Sequence, residues 1–148
     1  MLNFNGDFNV KSDIGKAYTY ISTPDDIAKL VPDLIDYQKM DNNNLKLIAK
    51  AGVSFIKGKF NLELNINDSE KYDHLILKGK GSGTGANVDF TVNFYFKDND
   101  GVANIKWNAD VNIVGSAASM GGKMIKSAAS KYINKLVDKY RETLENGL

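Results

Sequence analysis

The chain has 148 residues, 43% of them hydrophobic and 25% charged, which are values of an ordinary globular domain without long disorder. Lys and Arg number 19 against 18 Asp and Glu, so the net charge of +1 excludes the overall basic excess expected of a nucleic-acid binder. No cysteine is present, which removes disulfides, thiolate nucleophiles and thiolate metal sites together and fits a reducing cytoplasm.

From the N-terminus, Leu2, Phe4, Gly6, Phe8 and Val10 alternate with Asn3, Asn5, Asp7 and Asn9. That pattern predicts a half-buried strand rather than the continuous apolar block of a secretory signal. Ser12 or Asp13 then caps a short helix carrying Ile14, Ala17, Tyr18 and Ile21. Thr23-Pro24-Asp25-Asp26 opens a second short helix with a cap, a proline at the first position and acids in the first turn. Pro32 biases Val31 away from helical geometry and ends it.

A meander follows. Strands are expected near residues 34–41, up to the Asn42-Asn43-Asn44 turn, and from Leu45 to Ala51, with Gly52 as the breaker. Phe60, Leu62, Leu64 and Ile66 form the inward face of the next strand, and Leu75 and Leu77 begin the one after. Val88, Phe90, Val92, Phe94 and Phe96 then lead to a hairpin turn at Asp98-Asn99-Asp100-Gly101. Ile105, Trp107, Ala109, Val111 and Ile113 alternate with polar residues in the clearest strand of the chain.

After Gly115 the period changes to that of a helix. From Ala117 to Glu145, Met120, Met124, Ala128, Tyr132, Leu136, Tyr140 and Leu144 step by four, with Ile125, Ala129, Ile133 and Val137 as an adjacent ridge. Such a broad apolar stripe belongs to a helix pressed into a sheet. No run of about 18 apolar residues occurs, so no transmembrane helix is encoded. The whole chain, 1–148, reads as one α+β domain: a curved antiparallel sheet of about seven strands wrapped around a long C-terminal helix, with two short helices after the first strand.

The stretch from Leu75 to Gly85 points to a site. Its inward parity continues through Gly79, Gly81, Gly83 and Gly85, so four successive inward positions lack a side chain. Glycine weakens a strand interior, and such a row needs a reason. One reason is sharp curvature with close approach of the helix; the other is space for an occupant. Phe60, Leu62, Leu77, Phe90, Phe94 and Trp107 surround the row, and the helix adds Met120 and Met124, flexible side chains that adapt to varied ligands. The same residues also suit a plain core.

Other motifs fail on context. Gly81-Ser82-Gly83-Thr84-Gly85-Ala86 matches a dinucleotide-loop spacing, but a strand pattern follows where a helix is required. Gly121-Gly122-Lys123 resembles the end of a phosphate loop, yet Ala117 stands where the first glycine belongs and Met124 replaces Ser or Thr. His74, the only histidine, is expected to be exposed near a turn, and builds neither a triad nor a zinc site. No catalytic residue, metal site or cofactor is expected. Lysines 123, 126, 131, 135 and 139 with Arg141 give the long helix a basic face, read as a solvated surface.

Three stretches carry a family likeness: Phe4-Asn5-Gly6-Asp7-Phe8-Asn9-Val10; Ala51-Gly52-Val53-Ser54-Phe55-Ile56-Lys57-Gly58-Lys59-Phe60; and Trp107-Asn108-Ala109-Asp110-Val111-Asn112-Ile113-Val114-Gly115, continuing through Ser116 to Gly121. They resemble the opening strand, a glycine-centred connection, and the last strand and helix start of the CoxG family of carbon monoxide dehydrogenase accessory proteins. That family lies within the helix-grip superfamily of START-related lipid transfer domains, polyketide cyclases and birch-pollen-allergen-like proteins. Val31-Pro32-Asp33 departs from the usual Pro-Gly of the family. Many relatives extend into a tail thought to help membrane attachment, and the sequence reaches Leu148 without one.

The resemblance implies an accessory role beside a molybdenum hydroxylase, or lipid or quinone carriage. Taken with the residues, the leading expectation is a noncatalytic carrier of a hydrophobic small molecule, cytoplasmic, with a peripheral contact at the inner membrane face as an option and no nucleic-acid partner. Two alternatives stay open. One is an enzyme of the cyclase or hydrolase kind, with Tyr18, Tyr37 or Tyr132 reaching the cavity; the other is a solid interaction module.

Overall fold

The computed structural model describes residues 1–50 and 57–147. Gly52 and most of the Ala51–Phe60 stretch fall outside them. Strand β1 (Leu2–Val10) is followed by helices α1 (Ile14–Ser22) and α2 (Pro24–Leu30). Six strands come next: β2 (Leu34–Lys39), β3 (Asn44–Lys50), β4 (Lys57–Glu70), β5 (His74–Thr84), β6 (Ala86–Asn99) and β7 (Val102–Val114). A 3₁₀ turn (Ser116–Met120) then leads into α3 (Gly122–Glu145).

Local chemistry sets the helix ends. Asp13 caps α1, its carboxylate accepting from the amides of Gly15 at 2.6 Å and Lys16 at 3.2 Å. Thr23 stands at the cap position of α2 but makes no side-chain cap; its hydroxyl donates instead to the Thr19 carbonyl at 2.7 Å. Pro24 occupies the first turn, and the chain leaves α2 at Val31, which is extended ahead of Pro32.

All pairings are antiparallel, in the order β1-β7-β6-β5-β4-β3-β2. The chain therefore meanders from β2 to β7, and β1 closes on the last strand. Helices α1 and α2 bridge the two edge strands. The β6–β7 hairpin closes on Asp100 and Gly101, both at positive φ, with Asn99 paired to Val102. This is the mirror-image turn whose twist suits a two-residue loop. Register shifts between Lys57 and Asn61 and between Asn67 and Glu70 bend the long β4.

The molecule has a solid end and a hollow end. Val10, Ala17, Tyr18, Ile27, Leu45, Leu75, Phe96, Ile105, Tyr140 and Leu144 are buried together where α1, α2 and the end of α3 meet the sheet. The Tyr140 hydroxyl donates to the Ala17 carbonyl at 2.6 Å, pinning α3 to α1. Tyr18 donates to the His74 carbonyl at 3.1 Å, and its ring meets Phe96 edge-on.

Three expectations need correcting here. The helix is not continuous from Ala117, because the segment before Gly121 is 3₁₀ and Gly121 itself has φ +87°. Gly85 is not an inward strand residue; it is an exposed turn residue with φ +81°. His74 is only partly exposed: its imidazole stacks on Tyr95 and lies within hydrogen-bond distance of Glu70 and Asn93.

An apolar cavity between the sheet and the long helix

At the hollow end the sheet and α3 enclose a cavity of about 370 Å³. Its sheet wall comes from alternate residues of every strand except β2, including Phe4, Phe8, Leu47, Phe60, Leu62, Leu77, Val88, Phe90, Phe94, Trp107, Val111 and Ile113. Helix α3 contributes Ala129, Tyr132, Ile133, Leu136 and Val137. Helix α2 and its end supply Ile27, Leu30 and Val31. The helix joins the solid core at Tyr140 and Leu144, is buried again near its start at Ile125, and is half-buried along the stretch that faces the hollow.

Of the residues that the sequence marks for a pocket, Phe60, Leu62, Leu77, Phe90, Phe94 and Trp107 line the cavity. Gly79, Gly81 and Gly83 do not. A Cβ on Gly79 would overlap the ring of Phe90, its cross-strand partner, and a Cβ on Gly81 would overlap the ring of Phe60. A third couple has the same form: Gly6 lies opposite Trp107, and a Cβ there would stand 2.5 Å from the indole Nε1. The side-chain positions vacated at Gly6, Gly79 and Gly81 are thus filled by aromatic rings from neighbouring strands, and the open space lies beyond those rings. Met120 and Met124 are also outside the lining, 38% and 59% exposed; Met120 belongs to the 3₁₀ turn that ends at Gly121, and Met124 to the first turn of α3.

Polar groups at the wall are few. The Tyr140 hydroxyl is committed to Ala17. Lys50, at the exposed end of β3, borders the cavity, and its amide donates to the Asp33 carbonyl at 3.1 Å. Tyr132 faces the same region: burial first, and the charge of Asp33 second, raise its pKa above the usual phenol value. Tyr132 is therefore a neutral hydrogen-bond donor at neutral pH. The other two candidate tyrosines do not line the cavity; Tyr18 bonds to His74 and Tyr37 sits exposed on the edge strand β2. Alternation along the sequence does not mark Lys50, because its parity on β3 follows that strand's exposed face. Among the described residues no group of three or more His, Cys, Asp or Glu could hold a metal ion.

With this geometry in view, comparison with known proteins settles the lineage. A sequence model of the carbon monoxide dehydrogenase CoxG family matches residues 6–145. The chain belongs to this family. No curated protein matches the sequence. Among solved structures, a conserved protein from Geobacillus kaustophilus superposes with a TM-score of 0.87 at 19% identity, covering 95% of this chain and 93% of that one. A START superfamily protein from Mycobacterium smegmatis gives 0.77 at 10% identity, covering 97% of each chain. The di-domain aromatase/cyclase BexL gives 0.62 at 11% identity, with 97% of this chain matching 50% of that one. At such identities these likenesses show the fold, and it is the helix-grip fold: this CoxG-family chain wraps seven strands around one long helix.

Proposed function

We propose that this CoxG-family chain is a noncatalytic carrier of an apolar small molecule, lipid-like or quinone-like, serving as an accessory to a carbon monoxide dehydrogenase or related molybdenum hydroxylase. The observation that carries the reading is the cavity of about 370 Å³ with an almost wholly apolar wall. Pockets for small molecules are of this size and character. Burying ~100 Å² of apolar ligand surface contributes about 2.5 kcal/mol before the costs of association. With Lys50 and the Tyr132 hydroxyl alone among the described residues to offer polar contacts, orientation within the pocket would rest on one polar end of the guest. A cytoplasmic location with peripheral contact at the inner membrane face goes with this role.

Native mass spectrometry of the purified protein, followed by organic extraction, tests the proposal. A co-purified lipid or quinone is the expected result. A protein that is empty and shows no thermal shift with apolar ligands would remove the carrier reading.

A second reading, an enzyme of the cyclase kind, has one observation in its favour. Tyr132 presents a neutral phenol at the cavity wall, suited to donate to a substrate carbonyl. It requires turnover of a polyketide-like substrate that Tyr132→Phe abolishes.

A further inference from the structure

The charged side of the cavity lies where β3 ends and β4 begins. Lys50 closes β3 and lines the cavity, and its amide donates to the Asp33 carbonyl at 3.1 Å. Lys59 stands directly opposite Lys50 across the β3–β4 ladder, next to Phe60 of the cavity wall. Like charges that face each other across a ladder are destabilising, so this pair calls for a reason. No acid in the surrounding sequence offsets it: residues 42–62 hold four lysines and no Asp or Glu. Among the described residues the ion pairs are Lys29 with Asp26, Lys46 with Glu63 and His74 with Glu70, and none of them engages Lys50 or Lys59.

Tyr132 brings a hydroxyl to the same region. Burial, and after it the charge of Asp33, keeps it a neutral phenol able to donate. Asp33 is thus one carboxylate near two ammonium groups, which leaves this part of the rim positive. An ammonium offers donors and no acceptor, and the phenol offers one donor more. The group that complements such a set accepts several hydrogen bonds and carries negative charge. A carboxylate does both, whereas a neutral carbonyl or hydroxyl would satisfy the phenol and leave the lysines unmet.

We propose that the guest of the cavity is an apolar carboxylic acid, its hydrocarbon body among the aromatic rings and its carboxylate held at the rim by Lys50, Lys59 and the Tyr132 hydroxyl. This rests on the carrier reading above and narrows its ligand to an anionic class. Both lysines are exposed, so their charges stay hydrated while the cavity is empty, and no buried ion has to be compensated before the guest arrives.

Trp107 is the only tryptophan and lines the cavity, so its fluorescence reports occupancy without a label. The test titrates the full chain, stripped of guest on a hydrophobic resin, with dodecanoic acid, 1-dodecanol and dodecylamine at pH 8, where a carboxylic acid is ionised. These share one chain and differ in the charge of the head. The acid is expected to bind about tenfold more tightly than the alcohol, with the amine weakest, as charge-assisted hydrogen bonds of ordinary strength dictate. Added salt should shrink that preference. Lys50→Gln with Lys59→Gln should bring the acid down to the affinity of the alcohol. Lys78→Gln with Lys80→Gln, on the exposed face of β5, should keep the preference intact. Circular dichroism checks each variant's fold, and the acid-to-alcohol ratio with its salt dependence is read on the unmodified chain.

Equal affinity for acid and alcohol, tightest binding of the amine, or an acid preference that survives Lys50→Gln with Lys59→Gln overturns the proposal. In each of these cases binding itself leaves the carrier reading standing. If none of the three compounds changes the Trp107 signal or the thermal midpoint, the carrier reading falls and this proposal falls with it.

Discussion

Position 79 lies in the middle of a long strand, where glycine costs about 0.5–1 kcal/mol relative to alanine on conformational grounds alone. Local propensity therefore favours Gly79→Ala. Packing opposes it, because the new methyl would overlap the Phe90 ring, and overpacking a filled site costs about 1–3 kcal/mol. The second effect is the larger, so the variant should unfold at lower urea. Shortening the neighbour to give Phe90→Leu opens the space, and in that background Gly79→Ala should be close to neutral. A double-mutant cycle by urea denaturation measures the difference, and additive effects would show that the ring does not occupy the glycine's side-chain position. The inward parity of Gly79 is readable from alternation with Lys78 and Lys80. Its occupant is not, because that depends on the register between β5 and β6, which no local pattern encodes.

Among the elements, the strands are the most legible. Residues 102–114 alternate so regularly because one face of an antiparallel sheet is wet and the other dry. Helix α3 is harder to bound. Its four-residue stepping runs on through Met124 to Met120, and the glycine pair at 121–122 interrupts the backbone without interrupting the apolar spacing. The same helix is buried at Ile125 and at Tyr140 and Leu144, with a half-buried stretch between them over the cavity. Local stability follows packing. Amides near residues 129–137 should therefore exchange hydrogen sooner than those near 140–144 in the empty protein. A bound apolar guest should slow the first group selectively. Hydrogen-exchange mass spectrometry with and without the extracted guest checks this, and uniform exchange along α3 would count against a hollow beneath its middle.

At the scale of the whole molecule, the solid end and the alkaline limit of stability are linked. Tyr18, Tyr20, Tyr132 and Tyr140 all have their pKa values raised by burial first, that of Tyr18 to about 12 from 10.0. A phenol with a higher pKa folded than unfolded binds its proton more tightly in the fold. Its contribution is complete below pH 10 and is lost as the pH rises towards about 12. Urea stability should accordingly be level below pH 10 and decline above it. Tyr18→Phe should lower the plateau, through loss of the bond to the His74 carbonyl, and make the decline shallower. A stability profile that stays level through pH 12 would contradict the burial of these rings.

The three glycine and aromatic couples have a further consequence. Gly6, Gly79 and Gly81 let Trp107, Phe90 and Phe60 recline on the sheet as floor tiles of the chamber. One methyl added beneath any tile would tip it upward and shrink the room above. On the carrier reading proposed above, guest dimensions would be governed from under the floor, at positions a guest never meets, and related chains could change cargo without altering any residue that contacts it.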